Sequence, residues 1–168
     1  IRRSPFYERE KELGGHFMEL GGWERAHGYA ANEHLLEKYG DRIPVRENEW
    51  DNRHFWRVSN AEHLALSEDC GIINLSHFAM YDIEGPDHVA LMEWLCAAKI
   101  GGGANIGRGI YTHFLDDEGM VRADFTVMRM ADSMRMINGA DAGPRDLHYM
   151  RRVAEDKGFD VTITDVTE

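Results

Sequence analysis

The spacing of apolar and polar positions changes several times along this chain, and it is clearest between Gly107 and Met130. Ile110 to Leu115 is rich in β-branched and aromatic residues, Asp116-Asp117-Glu118-Gly119 carries turn chemistry, and the pattern resumes at Met120, which predicts a β-hairpin. On the second arm Val121, Ala123, Phe125 and Val127 make one apolar face suited to a core, so Asp124, Thr126 and Met128 turn the other way. Two readings of that second face stand open. Either it meets water and Asp124 is merely solvated, or a carboxylate flanked by Met and Thr lines a pocket.

Elsewhere the pattern is helical or weak. Ser4-Pro5 predicts a short helix through Leu13, stopped by Gly14-Gly15, and Gly21-Gly22 breaks the chain before Trp23, so the opening reads as loop-rich. A helical turn or two is predicted over Asn32 to Tyr39, whereas the polar stretch Gly40 to Asn52, with Pro44, reads as a surface excursion. Val58, Ala61, Leu64 and Ala65 at helical spacing predict a helix over about Phe55 to Cys70, with Gly71 as its stop. Ile72 to Glu84 is strand-like, and Gly85-Pro86-Asp87 leads into a helix with Val89, Met92, Leu95 and Cys96 on one stripe. Lys99 to Gly103 follows a helix and lacks the Gly-Lys-Ser/Thr ending of a phosphate loop, so it reads as a flexible connection. After the hairpin come a strand over Met134 to Asn138, a helix over Gly143 to Lys157 and a last strand over Phe159 to Ile163. The order β, α, β, β, β, α, β predicts an α+β fold: a mixed, largely antiparallel sheet with helices packed on one side.

Composition narrows the classes. With 168 residues and 43% hydrophobic content there is material for one ordinary core, and one compact unit is expected. Thirty acidic residues against 19 basic ones give a net charge of −11, which argues against nucleic acid or a membrane surface as partner. No run approaches the roughly 18 to 20 apolar residues of a membrane span, and the start at Ile1 has no signal-like segment. Cys70 and Cys96 both lie in apolar stretches and are expected to be reduced and buried. Together these features predict a soluble protein of a reducing compartment, the cytoplasm or, in a eukaryote, the mitochondrial matrix. The chain starts without Met and stops just after a strand-like run, so the natural polypeptide is expected to continue beyond both ends.

Several chemistries lack their residues. The nine histidines form no His-x-x-x-His pair and the two cysteines are far apart, so no metal site is predicted. His77 and His113 lie in strand-like segments and read as hydrogen-bonded structural residues. Asp116-Asp117-Glu118 lacks the ligand spacing of a calcium loop, and no Gly-x-Ser-x-Gly elbow surrounds a serine.

The segments SPFYEREKELGG, GGWER, INLSHF, EGPD, GRGIYTHFLDDEG and ADFTVMR occur in this order from Ser4 to Arg129. In this they resemble the folate-binding domain of aminomethyltransferases, the glycine-cleavage T-proteins, a domain similar to the C-terminal half of flavin-dependent dimethylglycine and sarcosine dehydrogenases. The resemblance covers nearly the whole chain and implies the N-terminal portion of such a domain over residues 1–168. The Arg2 to Glu8 opening is more similar to the segment that joins a flavin domain to the folate domain in the dehydrogenases. By this resemblance Asp124 approaches the reactive amines of tetrahydrofolate, and Phe78, Tyr81, Tyr111, Thr126 and Met128 form walls of the folate cavity. The implied reaction is one-carbon transfer from an oxidised N-methyl amine, of dimethylglycine or sarcosine type, to tetrahydrofolate, with FAD in a separate domain or subunit.

The sequence departs from the family pattern at one place of chemical interest. Where members commonly carry Asp-x-Ser, this chain has Asn74-Leu75-Ser76, so an amide replaces an acid. Two alternatives to the dehydrogenase reading follow: a lone aminomethyltransferase working with a lipoyl carrier protein, or a non-catalytic folate-binding or assembly module.

Overall fold

A computed structural model describes residues 1–45 and 55–167. The chain divides into two compact units, Ile1–Ser76 and His77–Glu168, where composition led to an expectation of one. The predicted surface excursion falls partly on residues 46–52, outside the described residues.

The first unit corrects the loop-rich reading of the N-terminus. After a two-residue strand β1 (Arg2–Arg3) and helix α1 (Tyr7–Glu12), strands β2 (Gly15–Leu20) and β3 (Trp23–Tyr29) form an antiparallel hairpin, with β1 pairing parallel to β3. Leu20 lies opposite Trp23, so Gly21-Gly22 is a complete two-residue turn, and both residues have positive φ, 62° and 82°. Such a turn matches the twist of the flanking strands, and glycine reaches it without steric cost. The glycine pair therefore joins two strands. The arms hid this, because His16, Glu19, Glu24, Arg25 and His27 blur the alternation.

Helices α2 (Leu35–Tyr39) and α3 (Trp56–Glu68) pack together over a small core of Tyr39, Ile43 and Ala61. Ile43 is thus buried, although the stretch from Gly40 reads as surface. Helix α3 ends at Glu68, ahead of the predicted Cys70, and Cys70 is exposed rather than buried.

The second unit has the predicted order. Strand β4 (Ala79–Glu84), helix α4 (His88–Leu95), strands β5 (Gly109–Leu115), β6 (Val121–Arg129) and β7 (Ser133–Asn138), helix α5 (Gly143–Lys157) and strand β8 (Thr162–Asp165) follow in sequence. The five strands make one sheet in the order β5-β6-β7-β4-β8 with every pair antiparallel. Two strand limits differ from expectation. Ile72 to Phe78 is not strand, and Ile72 is fully exposed; Phe159 and Val161 pack on the core from a loop, so the last strand starts at Thr162.

Local chemistry explains the joints. Asp116 accepts from the backbone N–H groups of Glu118 (3.1 Å) and Met120 (2.7 Å) and so closes the β5–β6 turn. The N–H groups of Ile100 (2.5 Å) and Gly101 both donate to Glu93 Oε1, while the Asn105 amide donates to the carbonyls of Lys99, Ile100 and Gly101. The glycine segment is therefore pinned by side chains, not the free connection predicted. Gly158, left-handed at φ 73°, ends α5.

One face of the sheet carries the core. Tyr81, Ile83, Phe114, Phe125, Val127, Met134 and Met136 pack there against Leu91, Met92 and Leu95 of α4 and Met150, Val153 and Ala154 of α5. Among the described residues no helix is long and apolar enough to cross a membrane.

Candidate functional site

Strand alternation sends every second side chain to the face opposite α4 and α5, here called the far face. The register lines these side chains up in transverse rows. Tyr111, Thr126, Ile137 and Met80 form one row, and Gly109, Met128, Arg135, Asp82 and Thr164 form the next. On the other side of the Tyr111 row, His113 lies opposite Asp124.

Asp124 is exposed, and its neighbourhood is specific. The carbonyl of His113 accepts from Ala97 N–H at 3.0 Å, so the backbone groups of His113 point away from β6. His113 and Asp124 are therefore a non-hydrogen-bonded pair, the kind whose Cα atoms lie about 4.5 Å apart with side chains close. Tyr111 sits two residues back on β5, reaches diagonally across, and donates its hydroxyl to Asp124 Oδ2 at 2.9 Å. That hydrogen bond, ahead of slight burial and the carboxylate charge, raises the phenol above its ordinary range. The ring of His113 meets the Tyr111 ring edge-on at 5.1 Å.

The next row is joined by charge. Arg135 and Asp82 lie directly opposite on β7 and β4 and form a two-pronged ion pair, Nε to Oδ1 and Nη2 to Oδ2, both 2.7 Å. The guanidinium holds the Asp82 carboxyl below the usual carboxylate range. Met128 lies over Gly109, where an added Cβ would come within 3.2 Å of its sulfur.

Four of the six predicted site residues thus share the far face: Asp124, Tyr111, Thr126 and Met128; Phe78 lies one residue before β4, half-buried, with its ring edge-on to that of His77 at 5.0 Å. Tyr81 is not on that face, and its assignment as a cavity wall is corrected. It is 1% exposed and packs in the core beneath the helices. Its parity with Ala79 and Ile83 carries that information in the sequence, as the alternation of Met134 and Met136 with Arg135 and Ile137 marks the last two as further far-face residues. Among the described residues no three or more His, Cys, Asp or Glu side chains are grouped to hold a metal. Cys96 is buried in the core, which pushes its thiol up to about 12.

A second polar cluster lies within the first unit and accounts for Asn74. Glu10, buried on α1, accepts from Tyr29 Oη (2.8 Å) and Asn74 Nδ2 (3.0 Å) on Oε1. Asn74 Nδ2 also donates to Ser4 Oγ at 2.9 Å, while Asn74 Oδ1 accepts from Ser76 N–H (3.0 Å) and Oγ–H (2.7 Å). The amide is used as donor and as acceptor. An acid at position 74 would face Glu10 carboxylate to carboxylate.

Known proteins bring further findings. The aminomethyltransferase of Bordetella avium is 28% identical over 165 residues, covering 98% of this chain and 38% of that protein. That of Cutibacterium acnes is 29% identical over 167 residues, with 37% of its length covered. The 4-methylaminobutanoate oxidase (formaldehyde-forming) of Paenarthrobacter nicotinovorans is 27% identical over 166 residues, covering 96% of this chain and 19% of the oxidase. The chain therefore spans well under half the length of these relatives. The crystal structure of the glycine cleavage system aminomethyltransferase T from Bartonella henselae superposes with a TM-score of 0.69 at 16% identity, over 99% of this chain and 38% of that one, and shares its fold. The family model for the GCVT N-terminal domain matches residues 6–168, a span that takes in all but the first two residues of the six motifs, and the chain belongs to that family.

Proposed function

We propose that this chain supplies a folate-facing wall of an enzyme that moves a one-carbon unit from an amine donor to tetrahydrofolate, with Asp124 managing the proton on the reacting nitrogen. The observation that carries the reading is the far face itself. It sets a carboxylate beside an aromatic ring and brings Thr126, Met128, Ile137 and Met80 into the adjoining rows. A reduced pterin is flat and partly apolar, and it needs such walls with a few polar groups to orient it.

In the transfer, one folate nitrogen bonds to the electrophilic carbon as the donor's breaking pair withdraws, the C–S pair to a lipoyl sulfur or the π pair of an iminium to its nitrogen; the second folate nitrogen then bonds to the same carbon while the remaining carbon–nitrogen pair leaves with the amine, which takes up a proton. The proton lost from the folate nitrogen passes to Asp124, or the carboxylate stabilises the positive charge that develops there. Holding both reactants on one wall raises their effective concentration.

The likeness to the oxidase favours a second, flavin-linked form of the same chemistry, in which a dimethylglycine- or sarcosine-type amine is oxidised before transfer. Among the described residues, the glycine-rich segment after α4 is not arranged as a loop for a flavin dinucleotide. That segment follows a helix, and the amides of Ile100 and Gly101 are taken by Glu93. In that form the flavin is expected in a separate domain or subunit.

The test uses the protein as produced from its natural reading frame, supplied with tetrahydrofolate and either an aminomethyl-lipoyl carrier or an N-methyl amine. Asp124→Asn is expected to lower methylenetetrahydrofolate formation about 100-fold or more, the scale of a lost general acid or base. In the flavin-linked form, amine oxidation continues and formaldehyde replaces the folate product. Transfer at the unsubstituted rate would refute the role of Asp124, and failure of both donors would refute the reaction.

A further inference from the structure

The far face contains a hydrogen bond that neither wall contacts nor sheet stability require. Tyr111 is 61% exposed and Asp124 is also exposed, so each side chain has water available, yet the Tyr111 hydroxyl donates to Asp124 Oδ2 at 2.9 Å. The donor is held from its own strand. His113, on the same face two residues along, meets the Tyr111 ring edge-on at 5.1 Å and restricts its swing. Asp124 Oδ1 has no hydrogen-bond partner among the described residues.

Building on the proposed transfer reaction, we propose that Tyr111 is a positioning residue: its phenol fixes Asp124 through Oδ2 and so presents Oδ1 to the reacting folate nitrogen. A carboxylate on a strand face otherwise rotates freely about its last bond, so its two oxygens exchange places. One anchored oxygen sets the plane of the other, and proton transfer needs that oxygen within hydrogen-bond reach of the nitrogen. The ring of Tyr111 has a separate task as a wall for the pterin. The two tasks belong to different atoms of one side chain, which makes them separable by substitution.

The protein from its natural reading frame is compared with Tyr111→Phe, Tyr111→Leu, Asp124→Asn and the Tyr111→Phe/Asp124→Asn double variant. Tyr111→Phe keeps the ring and loses the hydroxyl. It is expected to lower kcat about 10-fold, the kinetic equivalent of one hydrogen bond to a charged group, and to leave KM for tetrahydrofolate within about 2-fold. Tyr111→Leu adds a several-fold rise in KM. Because Tyr111 acts through Asp124, Tyr111→Phe in the Asp124→Asn background changes kcat by less than about 2-fold.

Ultraviolet titration of the phenols supplies a readout without substrate. A tyrosine signal lost in Tyr111→Phe is expected to titrate above the ordinary phenol range and to fall back toward it in Asp124→Asn. If Asp124→Asn transfers normally while this titration still moves, the transfer reading has failed although the contact exists. If Asp124→Asn loses transfer and Tyr111→Phe keeps full kcat, or the two losses multiply in the double variant, the positioning role is overturned.

Discussion

Phe114 and Tyr111 stand three residues apart on one strand, yet one is wholly buried beneath the helices and the other is mostly exposed on the far face. The same contrast runs across the sheet: Phe125 against Asp124, Met136 against Arg135, Tyr81 against Asp82. The covered face is close-packed, so its side chains are fixed by volume and their loss leaves a cavity. The far face is fixed by hydrogen bonds and charge, among side chains that keep contact with water. A strand with period 2 lets one set of backbone bonds serve both purposes. Changes on the covered face should therefore be read in stability, and changes on the far face in chemistry.

The largest expected effect breaks the covered face. Phe114→Ala should cost about 3–5 kcal/mol in denaturant unfolding, whereas Tyr111→Ala should cost under about 1 kcal/mol. Equal losses would mean the two faces do not differ as described. A smaller effect tests packing from the helix side. Gly143 begins α5 so close to the sheet that an added Cβ would lie 2.5 Å from both Ala79 Cβ and Tyr81 Oη. Gly143→Ala should cost about 1–3 kcal/mol through overpacking, and it should do so although alanine is the better helix former.

The smallest effect concerns the Asp82–Arg135 pair. The folded carboxyl lies below its unfolded value, so its contribution is present above the ordinary carboxylate range and is lost as pH falls through the folded value. With the Arg135 side chain 41% exposed, solvent screening limits the pair to under about 1 kcal/mol. Asp82→Asn should lower the melting temperature near pH 7 by a few degrees at most and make no difference at a pH below the folded value, where the carboxyl is already protonated, so that part of the acid dependence disappears. An unchanged acid slope would show that the pair is not coupled to folding.

The sequence pattern made the second unit readable because its strands alternate cleanly and its turns carry Asp116-Asp117-Glu118-Gly119 and Gly85-Pro86. Helix α5 was legible to the residue, with Pro144 near its start and Gly158 just beyond its end. The first unit was harder, since polar residues on both sides of β2 and β3 erase the period and leave Gly21-Gly22 as the lone hairpin signal. Asp124 stood out in sequence because its neighbours in the strand are core residues. Its diagonal contact with Tyr111 did not, because cross-strand register depends on the bulge between Phe114 and Leu115. Tyr81 shows the opposite case: the resemblance implies a cavity wall, while its parity with Ala79 and Ile83 puts it in the core.

The most direct measurement is oxidative footprinting of the natural-frame protein with and without tetrahydrofolate, read residue by residue by mass spectrometry. Tyr111 and Met128 lie exposed on the far face, Met120 lies exposed at the hairpin tip, and Met134 and Met136 are buried. With Met120 as internal reference for scavenging by the reduced folate, Tyr111 and Met128 should be protected several-fold while Met134 and Met136 stay unreactive throughout. Protection of Met120 and Met128 to the same extent, or none at Tyr111, would contradict the placement of folate on this face.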